Sequence, residues 1–320
     1  MIDVEAFLAA GPTRGWTRTP LAGDASARRY ERLTAPDGRT RVLMIAPAGD
    51  ASTHAFVRVT AHLRDHGLSA PEILDAAPES GLLLLEDLGP THCAAHLSGT
   101  PDDEVRIADA VADLLAALDA LPVPEGLARM TPEVAGAMLA PLAHHAPRMP
   151  VGLLDEMAAV VADAVEAQCG PADRFSLRDC HAENVIWRPG RTGHARLGLL
   201  DYQDAVAAPR GYDLASWIAD ARRDVPPAVA RRMTERLASA LGMAPQDLAA
   251  AVAVLQVQRN LRILGIFARL AREEGKRRYL AFLPRVRAHV EAGLAHPALA
   301  ELRPLVHEAL ATELERSAPA

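Results

Sequence analysis

The sequence has one lysine in 320 residues, Lys276. Every other permanently charged cation is an arginine, so chemistry that needs a lysine ahead of residue 276 is excluded. Cysteine is scarce too. Cys93, Cys169 and Cys180 form an odd, scattered set without CxxC or Cys/His ligand spacing, which argues against a disulfide framework and a zinc site. Positive charge is in deficit: 34 Lys and Arg stand against 41 Asp and Glu, a formal net charge of −7. No basic field recommends nucleic acid or an anionic membrane as a partner. Long hydrophobic runs are missing as well, and MIDVEAFLAAG lacks the basic start and apolar stretch of a signal peptide. The expected location is the cytoplasm, the expected partner a small molecule, and the expected state a monomer.

What is present is an ordinary globular composition, 50% hydrophobic and 23% charged, with length enough for one large domain or two unequal lobes. The first 90 residues read as three short strands, a helix near 53–66, and two more strands around PEILDAA and GLLLLED. Asp37–Gly38 is a hairpin signal between the second and third strands. From residue 101 the periodicity is mostly helical, interrupted by NVIW and LGLLD, two short strands of a hairpin. This predicts an α+β chain: a small mixed N-lobe over 1–89 and a larger, mostly helical C-lobe over 90–320.

The helical part carries the most polar stretch, LRDCHAENVIW at 177–187. A solvated loop is the plain reading. The sharper one is catalytic, because the layout is that of the protein-kinase-like bilobal fold and the stretch falls where that fold has its catalytic loop. There Asp179 accepts or orients the proton of an attacking hydroxyl. Asn184, five residues on, and Asp201, at the end of the next strand, hold Mg²⁺ against nucleotide phosphates. The types suit the task, since carboxylates hold the cation and the cation holds the phosphates. Asp213, in PRGYDL, is expected at the start of a buried helix, accepting backbone N–H bonds from the loop, a structural role.

RDCHAENVIW resembles the catalytic loop of the aminoglycoside phosphotransferase-like small-molecule kinases. GDASARRY, LLLEDLG, LLDYQDAVAAPRGYDLAS and QRNLRILGIFARLAREEGKRRYL are similar to the bacterial anomeric kinases of N-acetylmuramate and N-acetylglucosamine. The resemblance spans about residues 20 to 285 and implies ATP- and Mg²⁺-dependent formation of a sugar 1-phosphate in cell-wall recycling.

Against the general kinase pattern, the third strand RVLMIAP has Met44 near the place of the usual lysine, and helix 53–66 has no glutamate partner. Arg28 and Arg29 alternate faces, so one of them is available to replace the lysine at the phosphates. Gly23, Asp24, Ala25 and Ser26 form a turn whose N–H groups suit phosphate. The backbone of Glu86 to Leu88 suits adenine. His181 either braces the loop or meets the acceptor. Gln203 and Asp204 are candidates for sugar hydroxyls. Arg259 and Asn260 border the acceptor, where an Arg lining suits a lactyl carboxylate, or else they belong to the solvated face of an amphipathic helix. Two other functions stay open: a phosphotransferase for another hydroxyl acceptor, such as an aminoglycoside or amino alcohol, and a catalytically dead nucleotide-binding regulator.

Overall fold

A computed structural model describes residues 3–21 and 28–314. In chain order the elements are α1 (Val4–Ala10), β1 (Thr17–Leu21), β2 (Arg29–Thr34), β3 (Thr40–Ile45), α2 (Ala51–Asp65), β4 (Ile73–Ala77), β5 (Leu82–Glu86) and α3 (Cys93–Gly99). Then come α4 (Glu104–Asp119), α5 (Pro132–Ala137), α6 (Leu142–His145), α7 (Leu153–Cys169), β6 (Arg174–Ser176), β7 (Val185–Trp187), β8 (Leu197–Leu199) and β9 (Val206–Ala208). The chain closes with α8 (Tyr212–Ile218), α9 (Pro227–Leu241), α10 (Pro245–Arg272), α11 (Leu283–Leu294) and α12 (Leu302–Leu314). The chain divides into two compact units, Met1–Pro101 with Glu183–Ala205, and Asp102–Ala182 with Val206–Ala320.

The first unit is built on a five-stranded antiparallel sheet of order β1-β2-β3-β5-β4. The β2–β3 hairpin turns at Asp37–Gly38, where Gly38 has a φ of 84°, a left-handed conformation that glycine adopts without a Cβ clash. One face of the sheet buries Leu33, Leu43, Leu82 and Leu84 with Phe7 and Leu8 of α1. Strand alternation sends Met44, Leu83 and Leu85 to the other face, where all are buried. Helix α2 starts on Asp50, whose carboxyl accepts the Ser52 N–H at 2.9 Å, and buries Phe56, Val59 and Leu63 at helical spacing. The β7–β8 hairpin belongs to this unit, because Ser69 bridges Gly198 and His92 bridges Ile186. A Cβ on Gly198 would stand 2.9 Å from Leu88 Cδ1, so the absence of a side chain at Gly198 lets Leu88 lie close on the hairpin.

The second unit is helical around α10. Eighteen of its 28 residues are buried, among them Arg259 at 5% exposure, so the amphipathic helix with solvated arginines is replaced by a core helix. Close approach fixes its position: a Cβ on Gly265 would lie 1.9 Å from the Pro141 carbonyl oxygen ahead of α6. The three-residue pair β6–β9 brings Ser176 opposite Val206 and sets the start of the polar loop. Among the described residues no single helix is long and apolar enough to cross a membrane.

Candidate active site

In the helical unit the polar loop leaves β6 through a strained turn. Arg178 has a φ of 71°, left-handed and costly for a residue with a Cβ. Asp213, on the first turn of α8, holds that turn. Its Oδ2 accepts the Leu177 N–H at 2.9 Å and its Oδ1 accepts the Ser176 hydroxyl at 3.0 Å. Burial raises the Asp213 pKa to about 6, and these bonds oppose the rise.

The turn presents Asp179. Arg259, from the buried length of α10, donates Nη2 to its Oδ1 at 2.9 Å. The Asp179 side chain keeps 39% exposure while that of Arg259 has 6%, so the acid is approachable and the guanidinium is fixed. Burial works against the Asp179 charge. Burial is the largest single influence, but Arg259, Arg178 and Arg262 together exceed it, and the pKa lies below the usual carboxylate range. Two residues on, His181 is buried at 7% exposure, and its backbone N–H donates to the Asp179 carbonyl at 3.1 Å. Burial, reinforced by Arg222, lowers its pKa to about 4, so the imidazole is neutral. Asn260, beside Arg259, is fully buried, and its amide nitrogen donates to the Gln256 carbonyl at 2.9 Å. It braces the helix.

In the first unit the β7–β8 ladder continues one step past its strands. The Leu200 N–H donates to the Asn184 carbonyl at 2.9 Å, which places Asn184 across from the residue that precedes Asp201. Asp201 has a φ of 56° and a side chain 51% exposed. Gln203 Nε2 donates to Asp201 Oδ1 at 3.1 Å and to Asp204 Oδ2 at 2.9 Å, so the Gln203 amide is engaged within this turn while Asp204 is exposed. Of the two alternating arginines, Arg28 turns inward. Its side chain is 7% exposed, with Nη2 3.9 Å from Asp201 Oδ1, whereas Arg29 is exposed. Gly23, Asp24, Ala25 and Ser26 lie outside the described residues. At the connector the Glu86 N–H donates to the Glu72 carbonyl at 2.8 Å, which removes it as a donor to a base, and Leu88 is buried by side chain.

No group of three or more His, Cys, Asp or Glu among the described residues forms a ready metal cage. Mg²⁺ does not need one, since it takes one or two protein oxygens together with phosphate oxygens and water. An exposed Asp201 carboxyl and an Asn184 amide, brought to one end of one hairpin, are hard oxygen donors that fit that ion.

Three residues of these sites escaped the sequence reading. The Tyr202 hydroxyl shares a 2.7 Å hydrogen bond with Thr60 of α2, and its ring stacks on Phe56 with centroids 5.0 Å apart. Where other kinases tie this helix by a lysine–glutamate pair, Tyr202, the residue next to Asp201, ties it here through Thr60. Asp220 and Arg222 follow α8, which ends at Ile218, short of the helix that GYDLASWIADARR suggests. Nothing in their spacing pointed to them.

Residues 17–251 match the phosphotransferase enzyme family. An N-acetylmuramate/N-acetylglucosamine kinase of Caulobacter vibrioides is 36% identical over 340 aligned positions, covering 93% of this chain and 93% of that protein. A solved choline/ethanolamine kinase family protein from Mesorhizobium loti superposes with a TM-score of 0.65 at 18% identity, over 94% of this chain and 97% of that one. A thermostable mutant of an aminoglycoside phosphotransferase, solved in ternary complex with AMP-PNP and hygromycin B, gives 0.58 at 18% identity, over 92% and 99%. At these identities the structural likeness speaks to the fold alone.

Proposed function

This chain belongs to the phosphotransferase enzyme family, and on that premise we propose that it moves the γ-phosphoryl group of ATP to the anomeric C1 hydroxyl of N-acetylmuramate or N-acetylglucosamine. It is a kinase, and its relative over nearly the whole chain carries the amino-sugar name. The observation that carries the assignment of roles is Asp179: an approachable carboxylate, anchored through one oxygen by a buried arginine. A hydroxyl hydrogen-bonded to such a group is oriented for in-line attack. A carboxylate of low pKa is a weak base, which suits a loose phosphoryl-transfer transition state, where the proton leaves late.

Asn184 and Asp201 would hold Mg²⁺, which when bound neutralises charge on the phosphates. Arg28 stands in for the missing lysine as a phosphate contact, near Asp201. Gly23, Asp24, Ala25 and Ser26 would offer backbone N–H groups to phosphate, and the Glu86–Leu88 backbone, apart from the occupied Glu86 N–H, receives the adenine. Residues 1–89 then serve the nucleotide and 90–320 the catalytic loop and acceptor. His181, Asp204, Arg259 and Asn260 are assigned to the acceptor side, Arg259 acting through Asp179 and Asn260 through the helix. Gln203 orients Asp201. We place the reaction in the cytoplasm, where ATP is available, with the chain as a monomer.

The experiment is an acceptor panel with ADP release as readout. It contains N-acetylmuramate, N-acetylglucosamine, glucose, an aminoglycoside and choline. Turnover confined to the two N-acetyl sugars, with an acid-labile sugar 1-phosphate as product, is the expected result. Preference for the aminoglycoside or choline overturns the acceptor. ATP binding without turnover on any of them overturns the kinase.

A further inference from the structure

Arg259 is engaged with Asp179, so a lactyl carboxylate on the acceptor needs another partner. Two more guanidinia stand beside the same acid. Arg262 comes three residues after Arg259 on α10, and residues so spaced are neighbours on one helix face, so it lies one turn along from the side chain that holds Asp179. Arg178 immediately precedes Asp179, in the turn with the left-handed φ of 71° that Asp213 fixes. Its backbone N–H donates to the Ser176 hydroxyl oxygen at 3.0 Å, but among the described residues neither its guanidinium nor that of Arg262 makes a hydrogen bond or an ion pair. Both residues are partly exposed, as is the Asp179 side chain at 39%, so a ligand reaches all three from solvent. The Arg262 pKa is lowered, first by burial and next by the like charge of Arg178, so the two cations lie close enough to repel. Three guanidinia thus surround one carboxylate, and that carboxylate is already bonded to Arg259. Like charges held together without a counter-charge destabilise a fold and suit an anion supplied from outside.

We propose that Arg178 and Arg262 bind the lactyl carboxylate of N-acetylmuramate and set the preference of the site for that sugar over N-acetylglucosamine. This rests on the reading that Asp179 takes the anomeric hydroxyl. The lactyl group hangs from O3 on a flexible ether, two ring carbons from C1. Its carboxylate therefore comes to side chains that flank Asp179, and not to Asp179 itself, which repels it. A guanidinium offers a carboxylate two parallel N–H bonds and stays charged at any working pH. N-acetylglucosamine has a plain hydroxyl at C3 and leaves both cations facing water. The other anions of the reaction are the phosphates. These are assigned to Arg28 and to Mg²⁺ at Asn184 and Asp201, so the positive charge beside Asp179 falls to the acceptor.

Two measurements test this. The first is the ratio of kcat/KM for N-acetylmuramate over N-acetylglucosamine in wild type, Arg262→Met and Arg178→Met, taken at pH 8, where Asp179 is ionised in each. Loss of a charged partner to the carboxylate lowers that ratio by about tenfold to a hundredfold. The ratio is insensitive to a general loss of active protein or of Asp179 charge. Equal ratios in all three proteins overturn the proposal, and a raised KM for ATP with both sugars slowed alike returns these arginines to the phosphates. The second uses unmutated protein and no turnover: calorimetric affinity for N-acetylmuramate and for its neutral methyl ester, with AMP-PNP present. The acid is expected to bind at least about tenfold more tightly than the ester, as for one hydrogen bond to a charged group. Equal affinities mean that no cation meets the carboxylate, and the subsite falls. If the acid binds more tightly while no sugar is phosphorylated, the subsite stands and the kinase assignment fails.

Discussion

Arg259 holds Asp179 from a helix position with 6% side-chain exposure, through one Nη2–Oδ1 hydrogen bond of 2.9 Å. The carboxyl is thereby kept ionised in a setting where burial alone would raise its pKa. Position and charge come from a single contact, and the expected consequence of losing it is separable into both.

Replacing Arg259 by Met removes the largest favourable influence on the Asp179 charge. The acid limb of the kcat/KM–pH profile then moves toward neutrality, because the reaction needs the carboxylate and more of it is protonated at any given pH. At pH 8, where Asp179 is ionised in either protein, a residual loss of roughly tenfold to a hundredfold reports the positioning share. An acid limb that stays in place shows that the arginine does not set this charge.

The pH dependence of stability divides between two buried groups of opposite sign. His181 has its pKa lowered to about 4 from 6.5, so its contribution is complete above pH 6.5 and is lost as pH falls toward 4. Asp213 has its pKa raised to about 6 from 3.8, so its contribution is complete below 3.8 and is lost as pH rises through 6. Each shift corresponds to about 3 kcal/mol across its window. Urea denaturation of wild type between pH 4 and 6.5 is expected to show a nearly flat profile from this pair. Asp213→Asn steepens the acid loss and His181→Gln reverses its slope. Parallel profiles in all three proteins contradict the assignment.

Arg28 and Asp201 are expected to affect the nucleotide side. Arg28→Met removes a buried cation near Asp201 and raises the KM for ATP by roughly ten- to a hundredfold, as expected for a hydrogen bond to a charged group. Asp201→Asn raises the Mg²⁺ concentration needed for half-maximal rate. Steady-state titrations of ATP and of Mg²⁺ check each separately, and an unchanged ATP KM in Arg28→Met removes that arginine from the phosphate contacts.

Tyr202→Phe leaves the Thr60 hydroxyl without its buried partner while the stacking on Phe56 stays. The expected cost is about 1–2 kcal/mol in chemical denaturation. Stability equal to wild type shows that α2 is held by packing alone.

Much of this was legible in the sequence because it rests on local rules. The β2–β3 turn followed from Asp37–Gly38, the β7–β8 hairpin from NVIW and LGLLD, and the loss of the lysine–glutamate pair from Met44 and the composition of α2. The alternation of Arg28 and Arg29 said that one faces inward, though only the structure chose Arg28. Contacts distant in sequence were hidden. Arg259 lies 80 positions from Asp179, and an arginine on a long helix reads as solvated until the helix proves to be buried on nearly all sides. The β6–β9 pair has three residues per strand, too few for periodicity to register. Asp220 and Arg222 sit in a turn that continues the α8 pattern in composition but leaves the helix in fact.

The most direct measurement is ADP formation by wild type and Asp179→Asn with N-acetylmuramate or N-acetylglucosamine, alongside nucleotide affinity by calorimetry. The wild type should turn over, and the variant should lose on the order of a thousandfold or more in kcat with ATP affinity little changed. An Asp179→Asn protein that phosphorylates either sugar at the wild-type rate contradicts the account at its centre.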